Sequence, residues 1–267
     1  MTDTHVTDEL RKIAEQEFHD KRELDRARMG EEEFERVYSN KKWYSITASS
    51  RAFVDAWLAE HCDGATVLDF GCGLGGNSLR FARHGAEVYA FDISQESVNT
   101  TKKVLVDHGY GGKLHAEVMD GENMTYADDT FDVIVCSGVL HHVDVERAFP
   151  ELARVLKPTG KIVAMEALGY NPIISLYRRL TPSLRTAWET DHILTHRELK
   201  IAKRYFDGLS VHYFHLFSIL AVPFRKSRIF KPLLAVLSAL DSLVLKIPGV
   251  QLMAWQMIFF LSKPKER

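Results

Sequence analysis

Three features of the sequence predict an α/β chain built on a doubly wound, mostly parallel sheet. Short apolar runs alternate with helix-patterned segments from residue 66 to 167. The first run passes directly into a glycine-rich turn, "VLDFGCGLGG", Val67 to Gly76. Asp92 and Asp120 close the next two runs, so carboxylates gather at one end of neighbouring parallel strands, where such sheets bind ligands.

The elements follow in order. Leu10, Ile13, Phe18 and Leu24 recur at helical spacing among many charges, so the chain opens as a helix. A second charged helix covers Glu31 to Tyr38. Thr47 to Cys62 places Phe53, Ala56 and Trp57 on one side of a third, which Gly64 stops. Strands at Thr66–Phe70 and Glu87–Asp92 flank a helix around Ser78 to His84, and Ser94 caps the helix after the second strand. Leu114–Met119, Phe131–Cys136 and Lys161–Ala167 are the next three strands. A helix at Val145–Leu156 and a turn at Pro158-Thr159-Gly160 separate the last two. Asn171 to Trp188, with Pro172 and Pro182, reads as a loop-rich connection, and Arg197 to Phe206 as a helix. Val211–Leu216 and Ala254–Leu261 make seven strands in all, with an apolar helical segment, Phe217 to Leu245, between them.

Composition narrows the function. The 267 residues, 46% hydrophobic, suffice for one large core with appendages. Lys plus Arg number 34 against 36 Asp plus Glu, a net charge of -2, which argues against a nucleic-acid partner gripped through phosphates. Cys62, Cys72 and Cys136 are odd in number and widely spaced, and no secretory signal is read before them, so a reducing cytoplasm is expected. Asp241, Lys246, Pro248 and Gly249 interrupt the longest apolar stretches, so no transmembrane helix is expected.

Gly71, Gly73 and Gly76 fit the G-x-G-x-x-G fingerprint that elsewhere holds a dinucleotide pyrophosphate. A pyrophosphate calls for bare N–H groups and basic side chains. This neighbourhood offers Asp69, Asp92 and Asp120 instead. Three acids suit a cofactor with ribose hydroxyls, an adenine amine and a positive centre, and S-adenosylmethionine has all three. Asp92 would accept the ribose hydroxyls and Asp120 would reach the adenine amine, while the glycines let the backbone approach the methionine portion. Alone, Asp92 fits a nicotinamide cofactor equally well and Asp120 reads as a turn residue; the combination selects.

"VLDFGCGLGG", "AFDIS", "VMDGE", "DDTFDVIVCSGVLHHV" and "ELARVLKPTGKIVAMEA" together resemble the class I S-adenosylmethionine-dependent methyltransferases of the small-molecule, type 11 kind. The resemblance implies a Rossmann-like sheet whose last strand, here Ala254 to Leu261, is antiparallel. It further implies a cofactor site lined by Asp69, Gly71, Cys72, Gly73, Gly75, Asp92, Ile93, Asp120, Gly121 and Cys136. It also implies an N-terminal helical lid, residues 1–48, on a methyltransferase domain, 49–267, with acceptor-side insertions at about 168–196 and 217–250.

Methyl transfer is an in-line displacement, and a base helps where the nucleophile must lose a proton. His141 and His142 follow the fourth strand at the crevice mouth, and His141 ranks first as base. The pair reads equally as a structural cap. His19, on the first helix beside Asp20, and Glu166, ending the fifth strand, are the other catalytic candidates. Trp43, Tyr44, His142, Arg178, Arg179 and His192 are candidates for holding the acceptor; arginines, Arg185 included, suit a carboxylate or phosphate. Packing anchors and a solvated face are the plainer readings of the aromatics and arginines. No metal site is expected, since adjacent histidines do not converge on one ion as i, i+4 pairs do. Arg225, Lys226, Arg228 and Lys231 lead into an apolar helix; this 225–245 segment suits core or homodimer packing, the wall of an apolar acceptor pocket, or a peripheral membrane face. The expected activity is O-methylation of a small organic acceptor. C- or N-methylation, a nicotinamide-dependent oxidoreductase and a non-catalytic cofactor-binding regulator stand as alternatives.

Overall fold

The computed structural model describes residues 2–265. Its sheet comprises β1 (Thr66–Phe70), β2 (Glu87–Asp92), β3 (Leu114–Val118), β4 (Phe131–Ser137), β5 (Leu156–Ala167), β6 (Phe206–Phe214) and β7 (Gln256–Pro264), in the order β3-β2-β1-β4-β5-β7-β6. β1 to β5 pair in parallel, and β7 runs antiparallel to both β5 and β6. The strand order turns back between β1 and β4, which opens a crevice at their carboxyl ends.

The central strands are apolar on both faces because helices cover both. Leu68 and Phe70 point into one cluster, with Phe131, Ile134 and the helix α6 (Val145–Val155). Val67 points the other way, with Val133, Val135 and the helices α3 (Ala48–His61), α4 (Gly76–Arg83) and α5 (Gln95–Asp107). Side-chain caps fix the helix starts: Ser94 accepts the Ser97 N–H at 3.1 Å, and Asp144 accepts the Glu146 N–H at 3.0 Å. All three cysteines are buried and free.

The sequence reading departs from the structure in three places. Residues 171–188 are not loop-rich: α7 (Pro172–Leu180) starts at an Asn171 cap with Pro172 in its first turn, and the short α8 (Ala187–Asp191) follows. Prolines mark helix starts here rather than breaks. β5 begins at Leu156, ahead of the expected turn, and absorbs it through a register shift against β4. β6 likewise begins at Phe206, where α9 (His196–Tyr205) ends. The third departure is the orientation of α1 (Thr2–Arg28): Leu10 and Ile13 are 60% and 49% exposed, and the charged face turns inward. α1 is followed by α2 (Glu31–Val37) and a 3₁₀ segment, Ser39–Ile46.

A third apolar cluster stands apart from the sheet. Ile46, Ile174 of α7, Ile219 and Val222 of a 3₁₀ turn, and Trp255 form it, with Leu233, Leu234 and Leu237 of α10 (Phe230–Val244) packed against them. The Asp241 carboxylate ties α10 down by accepting the N–H groups of Leu216, Phe217 and Ser218 at 3.2, 2.6 and 3.1 Å. Among the described residues no helix is long and apolar enough to cross a membrane.

Candidate active site

The glycine turn is built by conformation and by crowding. Gly71, Gly73 and Gly75 have φ of 78°, 49° and 74°, a region that side chains with a Cβ rarely enter. A Cβ on Gly71 would lie 2.5 Å from Val139 Cγ2, and one on Gly75 would lie 2.8 Å from the Thr101 Cα. Gly73 meets nothing within 4 Å, because its open side faces a cavity. Asp92 then fixes the turn. Its Oδ2 accepts the Gly73 N–H at 2.9 Å and its Oδ1 the Ser94 N–H at 3.0 Å. Burial pushes the Asp92 carboxyl up, against those two backbone donors.

Two cavities meet at this turn. The smaller, about 150 Å³, is walled by Phe91, Asp92, Ile93, Met119, Asp120 and Gly121 from the strand ends, and by α1 and His142 opposite. The larger, about 690 Å³, carries Cys72, Trp43, Tyr44, His141, Arg178 and Glu189. Arg22, Gly71, Gly73, Ser137 and Gly138 line both.

α1 closes the smaller cavity with charge. Arg11, Glu15, His19 and Arg22 recur at steps of three and four residues on its inward face, and all four line that cavity. Arg11 pairs with Glu122 at 2.6 Å and Lys12 with Asp120 at 2.7 Å. Glu15 accepts from His142 Nδ1 at 2.9 Å and from the Thr186 hydroxyl. Burial disfavours the Glu15 carboxylate, yet these donors and His19 hold it well below the usual range. His19 is driven down to about 3, chiefly by burial, which makes it a neutral imidazole at pH 7. Glu15, His19 and His142 bring their ligating atoms within 4.8 Å of one another. His141, His142 and Glu189 do the same, so the adjacent histidines, expected not to converge on one ion, do bring their nitrogens together. Hydrogen bonds and ion pairs already account for the geometry of both groups, and neither carries a metal assignment.

On the larger cavity the central feature is a histidine held by a buried carboxylate. Glu166, at the end of β5 and 1% exposed, accepts the N–H groups of Val139 and Leu140 at 2.9 and 2.8 Å. Its other oxygen meets His141 Nδ1 at 2.6 Å. A carboxylate there fixes Nδ1 as the protonated nitrogen and leaves Nε2 toward the cavity. Burial disfavours the His141 imidazolium, but Glu166 and then Glu189 outweigh it, and the histidine is raised above its ordinary value. Glu189 Oε1 lies 3.9 Å from His141 Nε2, 3.0 Å from Arg178 Nη2 and 3.4 Å from Arg185 Nε. One carboxylate therefore faces two guanidiniums. Burial and the neighbouring Arg185 bring Arg178 down to about 10 despite the pull of Glu189.

The expected site residues divide accordingly. Gly71, Gly73, Asp92, Ile93, Asp120 and Gly121 stand on the smaller cavity, and Cys72, Trp43, Tyr44, His141 and Arg178 on the larger. Tyr44 lies deep in the fold yet is 49% exposed, because it faces the cavity. His19 and His142 line the smaller cavity, and His142 also lies close to His141 and Glu189. Asp120 has both oxygens engaged, by Lys12 and by the Glu122 N–H.

Several candidates are corrected. Glu166 does not face the crevice as a base: three donors occupy it, and it positions His141. Asp69 is fully buried under the turn, accepts the Ser78 hydroxyl at 2.5 Å, and is pushed up to about 7, chiefly by burial. Cys136 lies in the core cluster; its neighbours Ser137 and Gly138 line the walls instead. Gly75 caps α4 and lines neither cavity itself, although Leu74 and Gly76 beside it line the larger one. Arg179 points to solvent, one residue out of phase with Arg178 on α7. His192 is exposed and stacks on Trp188 at 3.5 Å. Sequence reasoning missed Ser137, Gly138, Glu189 and the inward stripe of α1. Only the stripe had a visible signal, its three-and-four spacing.

Residues 68–164 match the family described as Methyltransferase domain. Over that stretch the chain is similar to class I S-adenosylmethionine-dependent methyltransferases. A ubiquinone/menaquinone biosynthesis C-methyltransferase UbiE of Hahella chejuensis is 31% identical over 117 residues, 42% of this chain and 47% of that protein. Norajmaline N-methyltransferase of Rauvolfia serpentina is 30% identical over 147 residues, 54% of this chain and 45% of that protein. The chain thus spans about half the length of the curated relatives it matches. Among solved structures, the [4+2]-cyclase SpnF aligns with a TM-score of 0.53 at 22% identity, over 80% of each chain. Geranyl diphosphate C-methyltransferase from Streptomyces coelicolor aligns with a TM-score of 0.54 at 15% identity, over 80% of this chain and 79% of that one. These likenesses establish the methyltransferase fold.

Proposed function

We propose that the protein binds S-adenosylmethionine across the two cavities and methylates a small, amphiphilic acceptor, at an oxygen, with His141 as general base. The observation that carries this reading is the placement of His141, fixed by Glu166, on the larger cavity where it joins the smaller one at Gly71, Gly73, Ser137 and Gly138.

The residues present fit the cofactor. Arg26 Nη2, Asn40 Oδ1, Trp43 Nε1 and Gln256 Oε1 are buried without hydrogen-bond partners, and all four residues line the larger cavity, as the wall of a polar ligand would. Each Asp92 oxygen holds one backbone donor and keeps a lone pair for a ribose hydroxyl. When bound, S-adenosylmethionine supplies an electrophilic methyl group on a sulfonium, already a good leaving group. Lys12 neutralises Asp120, and α1 covers the smaller cavity as a lid. Trp43, Tyr44 and Tyr177 face the apolar part of the acceptor, while Arg178 and Arg185 hold an anionic group on it, since Glu189 offsets only one of their charges. His141 Nε2 takes the hydroxyl proton as the oxygen–methyl bond forms, and Glu166 stabilises the imidazolium. Holding the two groups in line is worth up to roughly 7–11 kcal/mol, and the base about 10²–10⁴-fold.

A second reading is methylation at carbon. The UbiE relatives, named C-methyltransferases, favour it, and the same base would ionise a ring hydroxyl to activate an adjacent carbon.

Calorimetry with S-adenosylmethionine and with NAD tests the cofactor. Tight binding of the first and none of the second is expected, and Asp92→Ala should weaken it about ten- to a hundredfold. Cell extract treated with methyl-labelled cofactor then gives the acceptor. An oxygen-bound label supports the proposal, a carbon-bound label the second reading, and absence of any labelled small molecule refutes both.

A further inference from the structure

The cap over the larger cavity has two faces, and only the inner one is used by the site. Its core is the third apolar cluster, to which α7, residues 218–224 and α10 all contribute. Inside, Trp43, Ile174 and Trp255 of that cluster line the cavity. Outside, Leu176 and Leu180 of α7, Phe224, and Val236, Leu240 and Leu243 of α10 are exposed. Leu180, Val236 and Leu243 are 72%, 67% and 65% exposed, nearly bare. Scattered exposed apolar residues need no explanation, but here three adjoining elements present them outward from one cluster.

Charge accompanies the apolar face. Residues 216–255 contain Arg225, Lys226, Arg228, Lys231 and Lys246 against one acid, Asp241, which is buried and spent on backbone N–H groups. Five minus one leaves this segment at +4 in a chain of net -2, so the remainder stands at -6. Lys226, Arg228 and Lys231 are exposed at the start of α10, beside its bare apolar side chains. Among the described residues Arg225 pairs with Glu35 at 3.7 Å, while Lys226, Arg228 and Lys231 have no acidic partner. An apolar face edged by such cations complements one surface in particular, the acyl boundary and anionic headgroups of a bilayer.

We propose that this cap docks on an anionic membrane surface and that the acceptor is an amphiphile drawn from it. α10 and α7 would lie in the interface, with the cavity directly beneath. The proposal rests on the acceptor reading above for the second half only; docking itself stands on the exposed face and its charge.

The test is flotation of the full-length protein with vesicles of phosphatidylcholine alone or with about a third phosphatidylglycerol. Binding to the anionic vesicles, weakened by high salt, is expected. Each lost cation should lower partitioning by about fivefold, so a Lys226→Glu, Arg228→Glu, Lys231→Glu variant should bind at least about a hundredfold less. Val236→Ser with Leu243→Ser should also release it. These positions lie outside both cavities, so cofactor affinity by calorimetry should be unchanged in both variants. That readout also separates the two ideas, because loss of vesicle binding leaves the cofactor result standing. Wild-type protein that binds neither vesicle, or both equally, overturns the proposal. So does a concentration-dependent dimer without lipid that Val236→Ser with Leu243→Ser dissolves, which would make the face a contact between two copies.

Discussion

Glu166→Gln isolates what the buried carboxylate does. Gln keeps the shape, and its carbonyl oxygen still accepts the Val139 and Leu140 N–H groups. Its amide then faces His141 Nδ1 as a donor, which forces that nitrogen to accept and moves the imidazole proton to Nε2. The nitrogen on the cavity becomes a donor, and the base is lost. Three hydrogen bonds to a charged acceptor, each worth about 1.5–3 kcal/mol, become bonds worth about 0.5–1.5. The lost charge also no longer has to be buried, which offsets part of the difference, so a net destabilisation of about 1–3 kcal/mol is expected. That corresponds to a fall in Tm of roughly 2–12 °C for a chain of this size. The proton equilibrium shifts the same way. In the wild type His141 is raised, so the pair stabilises the fold below the ordinary histidine value of about 6.5 and loses that contribution as pH climbs through the folded value. In the variant burial is opposed by Glu189 alone, and His141 should titrate lower than in the wild type. NMR of labelled imidazole reads both the tautomer and the titration without an acceptor, and turnover should fall by about 10²-fold or more once an acceptor is known. A variant whose His141 keeps the wild-type tautomer and titrates as before would refute the positioning role.

Two further outcomes follow from the glycine turn and the acid beneath it. Gly73→Ala should fold, at a cost of about 1–2 kcal/mol for its left-handed backbone, but lose most cofactor affinity, because its Cβ would enter the cavity; Gly75→Ala, against the Thr101 backbone, should lose far more stability, and thermal melts with calorimetry distinguish the two. Asp69 is raised in the fold, so it binds a proton more tightly there than in the unfolded chain, and its contribution to stability declines as pH rises from about 4 to about 7. The Tm of Asp69→Asn relative to wild type should therefore improve between pH 5 and pH 8; a pH-independent difference would mean that Asp69 is ionised throughout.

Much of this was legible in the sequence, for reasons that differ by element. β1, β2 and β4 were visible because a parallel strand covered on both faces must be apolar at nearly every position, and the glycine turn because positive φ leaves little choice of residue. Asp92 was legible because its role follows from its place at a strand end. Glu166 occupies the same kind of place and was misread, since nothing local says that a carboxylate will be spent on N–H groups at 139–141, more than twenty residues upstream. Arg178 and Arg179 show the limit on a helix: one residue separates cavity from solvent, and the six apolar residues of α7 do not fix the phase. α1 was read inside out for a stronger reason. Apolar periodicity orients a helix only when its partner surface is apolar, and here the partner is a crevice rimmed by Asp120 and Glu122.

That inversion bears on how the site opens. A helix seated by apolar contact is held by area, at any pH or salt. α1 is seated by Arg11 and Lys12 on acids that follow β3, and by Glu15 on His142. Only the Lys12–Asp120 pair is partly exposed; Glu122 and Glu15 are buried, and there the attraction is set against the cost of desolvating both partners, so the net contribution of each pair is modest. Together they favour closure without locking it. The fold thus keeps the glycine turn and the His141–Glu166 pair on buried strand ends, and on the proposed lid reading the covering of the smaller cavity would be an element that charge can release. A cofactor of this size must enter and leave once per turnover, so a weakly held charged cover on a rigid floor is the arrangement the proposed chemistry requires.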